Sequence, residues 1–185
     1  METVTEILAF AATNADYWTE FLSGQDFSAV LSEEEKTALE AARLHIEEGI
    51  YDLLAACGNL LSEGLKGEGV VRRSFHPAAT KRNRLVKIDA PQAVADKLYR
   101  FEFALSPDDA NEKVLLYASL VVKKRYLDAV SAKLGELKVN PLVDNYHVYA
   151  PGIALKKDDH FEALATKAVE AMVKLFQGVK YATVA

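Results

Sequence analysis

The chain has 185 residues, of which 50% are apolar, so it can build a sizeable core and is not a wholly disordered protein. A formal charge of -5 and a pI near 5.4 argue against a dedicated DNA-binding protein, which usually carries a basic excess. The single cysteine excludes an internal disulfide.

Two helices are predicted at the start of the chain. Apolar residues recur at spacings of three and four from Val4 to Leu22, which places them on one face of a first helix. Ser32 followed by Glu35 has the spacing of a capping box, and a second apolar stripe continues from there to about Gly64. The N-terminal third is therefore expected to form a helical pair.

The length of the second helix conflicts with the size of a compact domain. A straight helix over 32–64 is about 50 Å long at about 1.5 Å per residue. A compact domain of this size is only about 40 Å across. The helix must therefore protrude or break, and because glycine weakens a helix interior by up to about 1 kcal/mol, Gly49 and Gly58 are the favoured break points.

The periodicity changes after Gly67-Glu68-Gly69, from a helical to an alternating pattern. Residues 99–105 alternate between apolar and polar, and 114–122 are almost entirely apolar, so we expect these segments to pair antiparallel across a turn at 107–111. Further strands are expected at 70–71, 85–88, 143–149 and, as an edge strand, 179–185; helices are expected at 91–97, 127–137 and 159–177, the last with Gly178 as its C-cap.

This order of elements predicts the α+β class, with an N-terminal helical pair followed by a mostly antiparallel sheet with two packed helices. We expect an acidic helical segment at 1–66 and an α+β domain at 70–185, packed as one compact unit. The longest apolar stretch, 114–122, falls short of the roughly 20 residues that a spanning helix needs. Since the N-terminus also has no basic leader region, we expect a cytoplasmic protein that does not enter a membrane.

The charge is divided into three zones along the chain. Residues 1–69 contain 14 acids and 3 bases, a net of -11. Residues 70–88 contain six bases and no acid, a net of +6, and residues 89–185 contain 13 of each sign. The uneven distribution, rather than the small total, is therefore the feature that a functional hypothesis has to explain.

The basic zone supplies the main candidate binding residues. They fall within 16 residues of one another with no acid between them, and they are Arg72, Arg73, His76, Lys81, Arg82, Arg84 and Lys87. Such a run can neutralise phosphates or carboxylates. Three alternatives remain open: the segment is neutralised by the acidic helices of its own chain, it binds an acidic protein, or it binds nucleic acid or a phosphorylated ligand.

A second candidate lies on the predicted strand 143–149. Alternation places Asn145, His147 and Tyr149 on one face of this strand. Together with the bases at 123–125 they could line a polar pocket. The alternative is that they are ordinary sheet residues facing solvent or a helix.

No catalytic template fits the sequence. The glycine spacing at 58–66 is wrong for a phosphate-binding loop, and the acid-x-Lys of a metal-dependent nuclease is one residue short after Pro107-Asp108. Cys57 lies on an apolar helical stripe, as an inert thiol does, and the four histidines lack metal-binding spacing. The sequence therefore predicts no catalytic residue, no metal and no cofactor.

Taken together, these patterns favour a non-enzymatic binding protein with a charged macromolecular partner, most simply another protein. It would use an acidic helical face, the basic loop, or both. One alternative is an enzyme or accessory factor that acts on nucleic acid or a phosphorylated ligand through 72–87. Another is a homo-oligomer that associates through the helix around Trp18 and Leu22.

Overall fold

A computed structural model describes residues 3–13, 32–68, 85–108, 113–136 and 138–183. The helices in these ranges are α1 (Thr5–Thr13), α2 (Glu33–Gly64), α3 (Leu127–Leu134) and α4 (Phe161–Lys180). The strands are β1 (Leu85–Asp89), β2 (Leu98–Asp108), β3 (Lys113–Lys123), β4 (Lys138–Pro141), β5 (Asn145–Tyr149) and β6 (Ile153–Ala154). The predicted strand at 70–71 and the first helix beyond Thr13 fall outside the described residues.

The strands form one antiparallel sheet in the order β1-β2-β3-β5-β4, with β6 paired to β3. The long β2–β3 pair confirms the antiparallel pairing expected for 99–105 and 114–122, with Phe103 opposite Ala118. Helices and antiparallel strands are segregated rather than alternating, so the α+β class is confirmed.

One face of the sheet packs against the helices. The alternation that predicted β2 places Phe101, Phe103 and Leu105 on this face, all buried. The rings of Phe101 and Phe176 lie 5.6 Å apart between β2 and α4. A single cluster of buried apolar residues joins these strand positions to α1, α2 and α4. The core therefore lies between the helices and this inner face.

Helix α2 does not break at Gly49 or Gly58, so the break expected there is wrong. The helix runs unbroken for 32 residues, and both glycines are buried within it. Burial begins at Ile46, whereas 33–45 are mostly exposed. Burying several large apolar side chains at about 1.5–3 kcal/mol each outweighs a cost of about 1 kcal/mol per glycine. The length conflict is thus resolved by an unbroken helix whose first turns are mostly exposed.

The C-terminal helix also differs from expectation. Gly178 does not cap α4, which continues to Lys180 and ends at Tyr181. Gly178 is buried, and a methyl group on its Cα would lie 2.6 Å from the Leu134 side chain of α3. The glycine therefore permits close packing of α3. No edge strand is formed over 179–183, within the described part of that prediction.

Two smaller differences concern short elements. The predicted helix at 91–97 is only a 3-10 turn over Gln92–Val94. Residues 138–141 were expected to be a connection after a helix, but they form the edge strand β4. Its proline lies at the strand end, where the missing N–H of proline costs no ladder bond.

Candidate binding surfaces

The second face of the sheet, which we call the outer face, is defined by the residues that alternate with the core positions. The strand register sets two rows across it. The first row is Asp89, Arg100, Val121, His147 and Asn140, and the second is Lys87, Glu102, Ser119, Tyr149 and Lys138. Val121 is buried but does not belong to the core cluster under the helices. The outer face therefore has its own packed centre.

A polar network runs across the middle of the outer face. Glu102 is only 4% exposed, and its Oε1 accepts a hydrogen bond from Arg100 Nε. The other carboxylate oxygen, Oε2, lies 3.5 Å from His147 Nε2. His147 Nδ1 is 2.9 Å from the hydroxyl of Tyr149. A buried carboxylate is costly unless it is paired, and here both of its oxygens face basic groups.

The phenol of Tyr149 forms one end of this network. Burial is the main cause that raises the pKa of Tyr149, and the negative charge of Glu102 adds to it, while a hydrogen bond from Asn140 acts in the opposite direction. The phenol therefore keeps its proton at neutral pH, at hydrogen-bond distance from His147 Nδ1. A carboxylate, an imidazole and a phenol in this order can hold or move a proton.

Two buried polar atoms of the outer face have no hydrogen-bond partner. They are Asn145 Oδ1 and His147 Nε2, and the third such atom in the described residues, Asn59 Oδ1, belongs to α2. The distance of 3.5 Å from His147 Nε2 to Glu102 is an ion-pair distance but too long for a good hydrogen bond. Since buried polar groups are normally paired, such atoms need an explanation.

Tyrosines and lysines surround this network. The register shifts between Leu98 and Arg100, which leaves Tyr99 out of the pairing and 53% exposed. Lys123 Nζ lies 5.2 Å from the centre of the Tyr99 ring. On the other side of the face, Lys138 Nζ lies 5.1 Å from the Tyr117 ring and 5.7 Å from the Tyr149 ring. These are cation–π distances.

A second candidate surface is the acidic extension, the N-terminal half of α2 from Glu33 to Glu48, where most side chains before Ile46 are exposed. It begins with the predicted capping box: Ser32 Oγ accepts from Glu35 N, and Glu35 Oε2 accepts from Ser32 N. Leu44 is 53% exposed in the middle of it. Hydrogen bonds from Ser32 lower the pKa of Glu35, so this end of the helix stays negatively charged.

The bases of the acidic extension are already paired within the helix. Lys36 Nζ is 2.7 Å from Glu33, and Arg43 lies between Glu40 at 3.5 Å and Glu47 at 3.1 Å. By contrast, four other acids of α2 form no ion pair within the described residues. They are Glu34, Glu48, Asp52 and Glu63. The helix therefore carries excess negative charge on its exposed side.

The predicted basic set is described at one position. Lys87 is exposed on the outer face, opposite Glu102 in the register. The remaining members lie outside the described residues; they are Arg72, Arg73, His76, Lys81, Arg82 and Arg84.

The second predicted set is described in full. Asn145, His147 and Tyr149 share the outer face, as alternation predicted. The nearby bases have other partners: Lys123 Nζ donates to the carbonyl of Ala95, and Arg125 donates to that of Asp96. The charged group that faces His147 is Glu102 instead.

Sequence reasoning missed Arg100 and Glu102. Alternation places both on the polar side of the predicted strand 99–105, which marks neither as a binding residue. One signal in the sequence was Ser119, the polar residue that interrupts the apolar run 114–122. Ser119 lies opposite Glu102 in the sheet, so it marks the place where this strand meets a polar partner. The register that connects them to His147 through β3 could not be obtained from the pattern alone.

The next groups to consider are the potential metal ligands and the thiol of Cys57 in the described part of the chain. No group of three or more potential metal ligands occurs there. Burial raises the pKa of the Cys57 thiol to about 12, so its reactive thiolate form is scarce at neutral pH. Among the described helices, none is long and apolar enough to span a membrane.

No protein-family model matches this chain, and neither does any curated protein or solved structure.

Proposed function

We propose that this is a cytoplasmic binding protein whose acidic extension engages a basic macromolecular partner. The supporting observation is that 33–45 of α2 are mostly exposed, with Leu44 exposed among exposed acids. This part of the helix meets the rest of the described structure through Leu39, which packs half-buried against the core, and His45, which pairs with Glu6 of α1.

The extension presents a continuous face to a partner. Glu40, Leu44, Glu48 and Asp52 are spaced by four residues and are all exposed, so they follow one side of the helix. Isolated helices of about 12–15 residues are only marginally stable, but here the packed half of α2 supplies the nucleus. A preformed helix loses less conformational freedom on binding than a disordered segment does.

The charge of this region favours a basic partner. The described residues 3–13 and 32–68 contain ten acids and three bases, a net of -7. Opposite charge on the partner would accelerate the encounter and fix its orientation, while Leu44 offers an apolar contact at the centre. A basic amphipathic helix matches both features of this face.

Binding of a fluorescein-labelled, lysine- and leucine-containing amphipathic helical peptide tests the proposal. We expect the double variant Glu40→Lys/Glu48→Lys to weaken binding at least about tenfold, which corresponds to about 1.4 kcal/mol. The double variant Glu162→Lys/Glu170→Lys on α4 changes the net charge by the same amount and should retain most of the affinity.

Fluorescence anisotropy of the labelled peptide gives the affinities. Two results would contradict the proposal: equal weakening by both double variants, which would indicate attraction by net charge alone, or an affinity that does not fall as salt rises. Circular dichroism of each variant establishes that α2 remains helical.

A further inference from the structure

We propose that the outer face of the sheet is a separate binding site for single-stranded nucleic acid. The bases would stack on its tyrosines, and the phosphates would contact the surrounding lysines and Arg100. This site uses none of the residues of the acidic extension, so the two proposals stand or fall independently.

The charge of the outer face is opposite to that of the helical side. Among the residues whose side chains are described, four bases lie on it, namely Lys87, Arg100, Lys123 and Lys138, against two acids, Asp89 and Glu102. Glu102 is buried and paired with Arg100, so it contributes little to the exposed surface. A chain with a net charge of -5 therefore has one face with a local basic excess, which fits a polyanionic ligand.

Aromatic rings are placed where bases could stack. The bulge at Tyr99 directs this ring outward at one end of the face, and Tyr117 and Tyr149 form a pair, 5.9 Å between ring centres, toward the other end. Lys123 and Lys138 lie against these rings in the unbound protein. When a base takes the ring face, the released ammonium group can contact the adjacent phosphate. The Tyr117–Tyr149 pair thus comes with its own phosphate-binding cation, Lys138, whereas Lys123 Nζ also donates to the carbonyl of Ala95.

The unpartnered polar atoms lie between these rings. In the register, Asn145 is opposite Lys123, and His147 follows on the same face before Tyr149. Within the described residues, Asn145 Oδ1 and His147 Nε2 are buried without a hydrogen-bond partner, and His147 Nε2 lies 3.5 Å from Glu102. These atoms therefore belong to the packed centre of the outer face, and the tyrosines and cations around them supply the contacts for a single strand.

These features favour a single strand over other polyanions. Bases in a duplex are stacked on each other and leave only edges and phosphates for contact, so three tyrosines would add nothing. An acidic protein would use the lysines but would not require exposed rings. Stacking surfaces combined with cations are typical of single-strand binding.

Binding of a fluorescein-labelled oligothymidylate of about 12 nucleotides to the full chain at low salt tests this site. We expect Tyr99→Ala to weaken binding at least about fivefold. Tyr181→Ala is the matched control, because Tyr181 is 59% exposed and has Lys180 Nζ at 5.5 Å from its ring, but it lies at the end of α4. That control should bind like the unmodified protein.

A salt titration separates the phosphate contacts. Lys138→Gln should lower the slope of log affinity against log salt by about 0.7, the value for one phosphate contact to a single strand. Lys174→Gln, an exposed lysine on α4, should leave the slope unchanged. An identical slope for both variants would overturn the assignment of Lys138.

Competition decides the class of ligand. Unlabelled single strand should displace the probe, whereas inorganic polyphosphate and a matched duplex should compete poorly. Equal displacement by polyphosphate would show polyanion binding without stacking and would overturn the proposal, as would the absence of any binding at low salt. Glu40→Lys/Glu48→Lys should not abolish this binding, so a failure here is distinguishable from a failure of the acidic extension.

Discussion

At the scale of single residues, the hydroxyl of Tyr149 contacts His147, and His147 in turn faces the buried carboxylate of Glu102. We expect Tyr149→Phe to lower the free energy of unfolding by about 1 kcal/mol, because His147 Nδ1 then loses its hydrogen bond. Tyr146→Phe is the control, since this tyrosine of β5 lies on the opposite face and its hydroxyl makes no hydrogen bond within the described residues. Urea denaturation measures both, and equal effects would contradict the network.

The pH dependence of the same difference is a second check. The pKa of a free phenol is about 10, and burial raises that of Tyr149 in the folded protein. The stabilisation by the protonated phenol is therefore complete below about pH 10 and is lost as the pH rises toward the folded value. The stability difference between the unmodified protein and Tyr149→Phe should shrink above about pH 10. A difference that stays constant would count against burial of the phenol.

At this scale the sequence predicted some site residues and missed others for one physical reason. Alternation within a strand is local, so it correctly placed His147 and Tyr149 on one face. Their contact with Glu102 spans three strands and depends on the register of two separate pairings. A change of one residue in either register would move Glu102 to the other face, and sequence pattern does not settle such a choice.

At the scale of elements, the contact between Gly178 of α4 and Leu134 of α3 can be tested by substitution. We expect Gly178→Ala to destabilise the fold by about 1–3 kcal/mol, because the new methyl group overlaps the Leu134 side chain. Gly64→Ala at the end of α2 meets nothing within 4 Å and should be neutral or stabilise by up to about 1 kcal/mol. Thermal denaturation of the two variants gives the comparison.

The two substitutions are expected to change the stability in opposite directions. If both of them stabilise the fold, Gly178 serves only to end the helix, as the sequence pattern predicts, and α3 does not pack closely on α4 at this position. A smaller loss for Gly178→Ala in a Leu134→Ala background would show that the two side chains compete for the same space.

Elements with a strong internal period were predictable, and those set by their neighbours were not. The alternation of β2 and the capping box of α2 are encoded within a few residues, and both are present. The continuity of α2 through Gly49 depends on the partners that bury this residue, and Gly178 within α4 packs against Leu134 instead of ending the helix. Local propensity is overridden at both places by packing against distant elements.

At the scale of the whole molecule, the open question is whether the acidic and basic zones neutralise each other. Of the bases in the basic zone, the structure describes Lys87, which lies on the outer face, whereas α2 with its excess acids packs on the inner face. The bases of α2 are paired with acids of the same helix. We therefore expect repulsion among the remaining acids of α2 to dominate the response of stability to salt.

The effect of salt on the melting temperature has opposite signs for zones that lie apart and for zones that are in contact. We expect the melting temperature to rise as NaCl increases from about 20 mM to about 300 mM, because ions screen repulsion within each zone. If the zones were in contact with each other, screening would weaken their attraction and the melting temperature would fall. Glu48→Gln should reduce the rise, since it removes one repelling charge from the exposed side of α2, whereas Glu170→Gln on α4 should not. A fall in melting temperature with salt would assign the basic segment to intramolecular neutralisation and would remove the charge argument for the acidic extension.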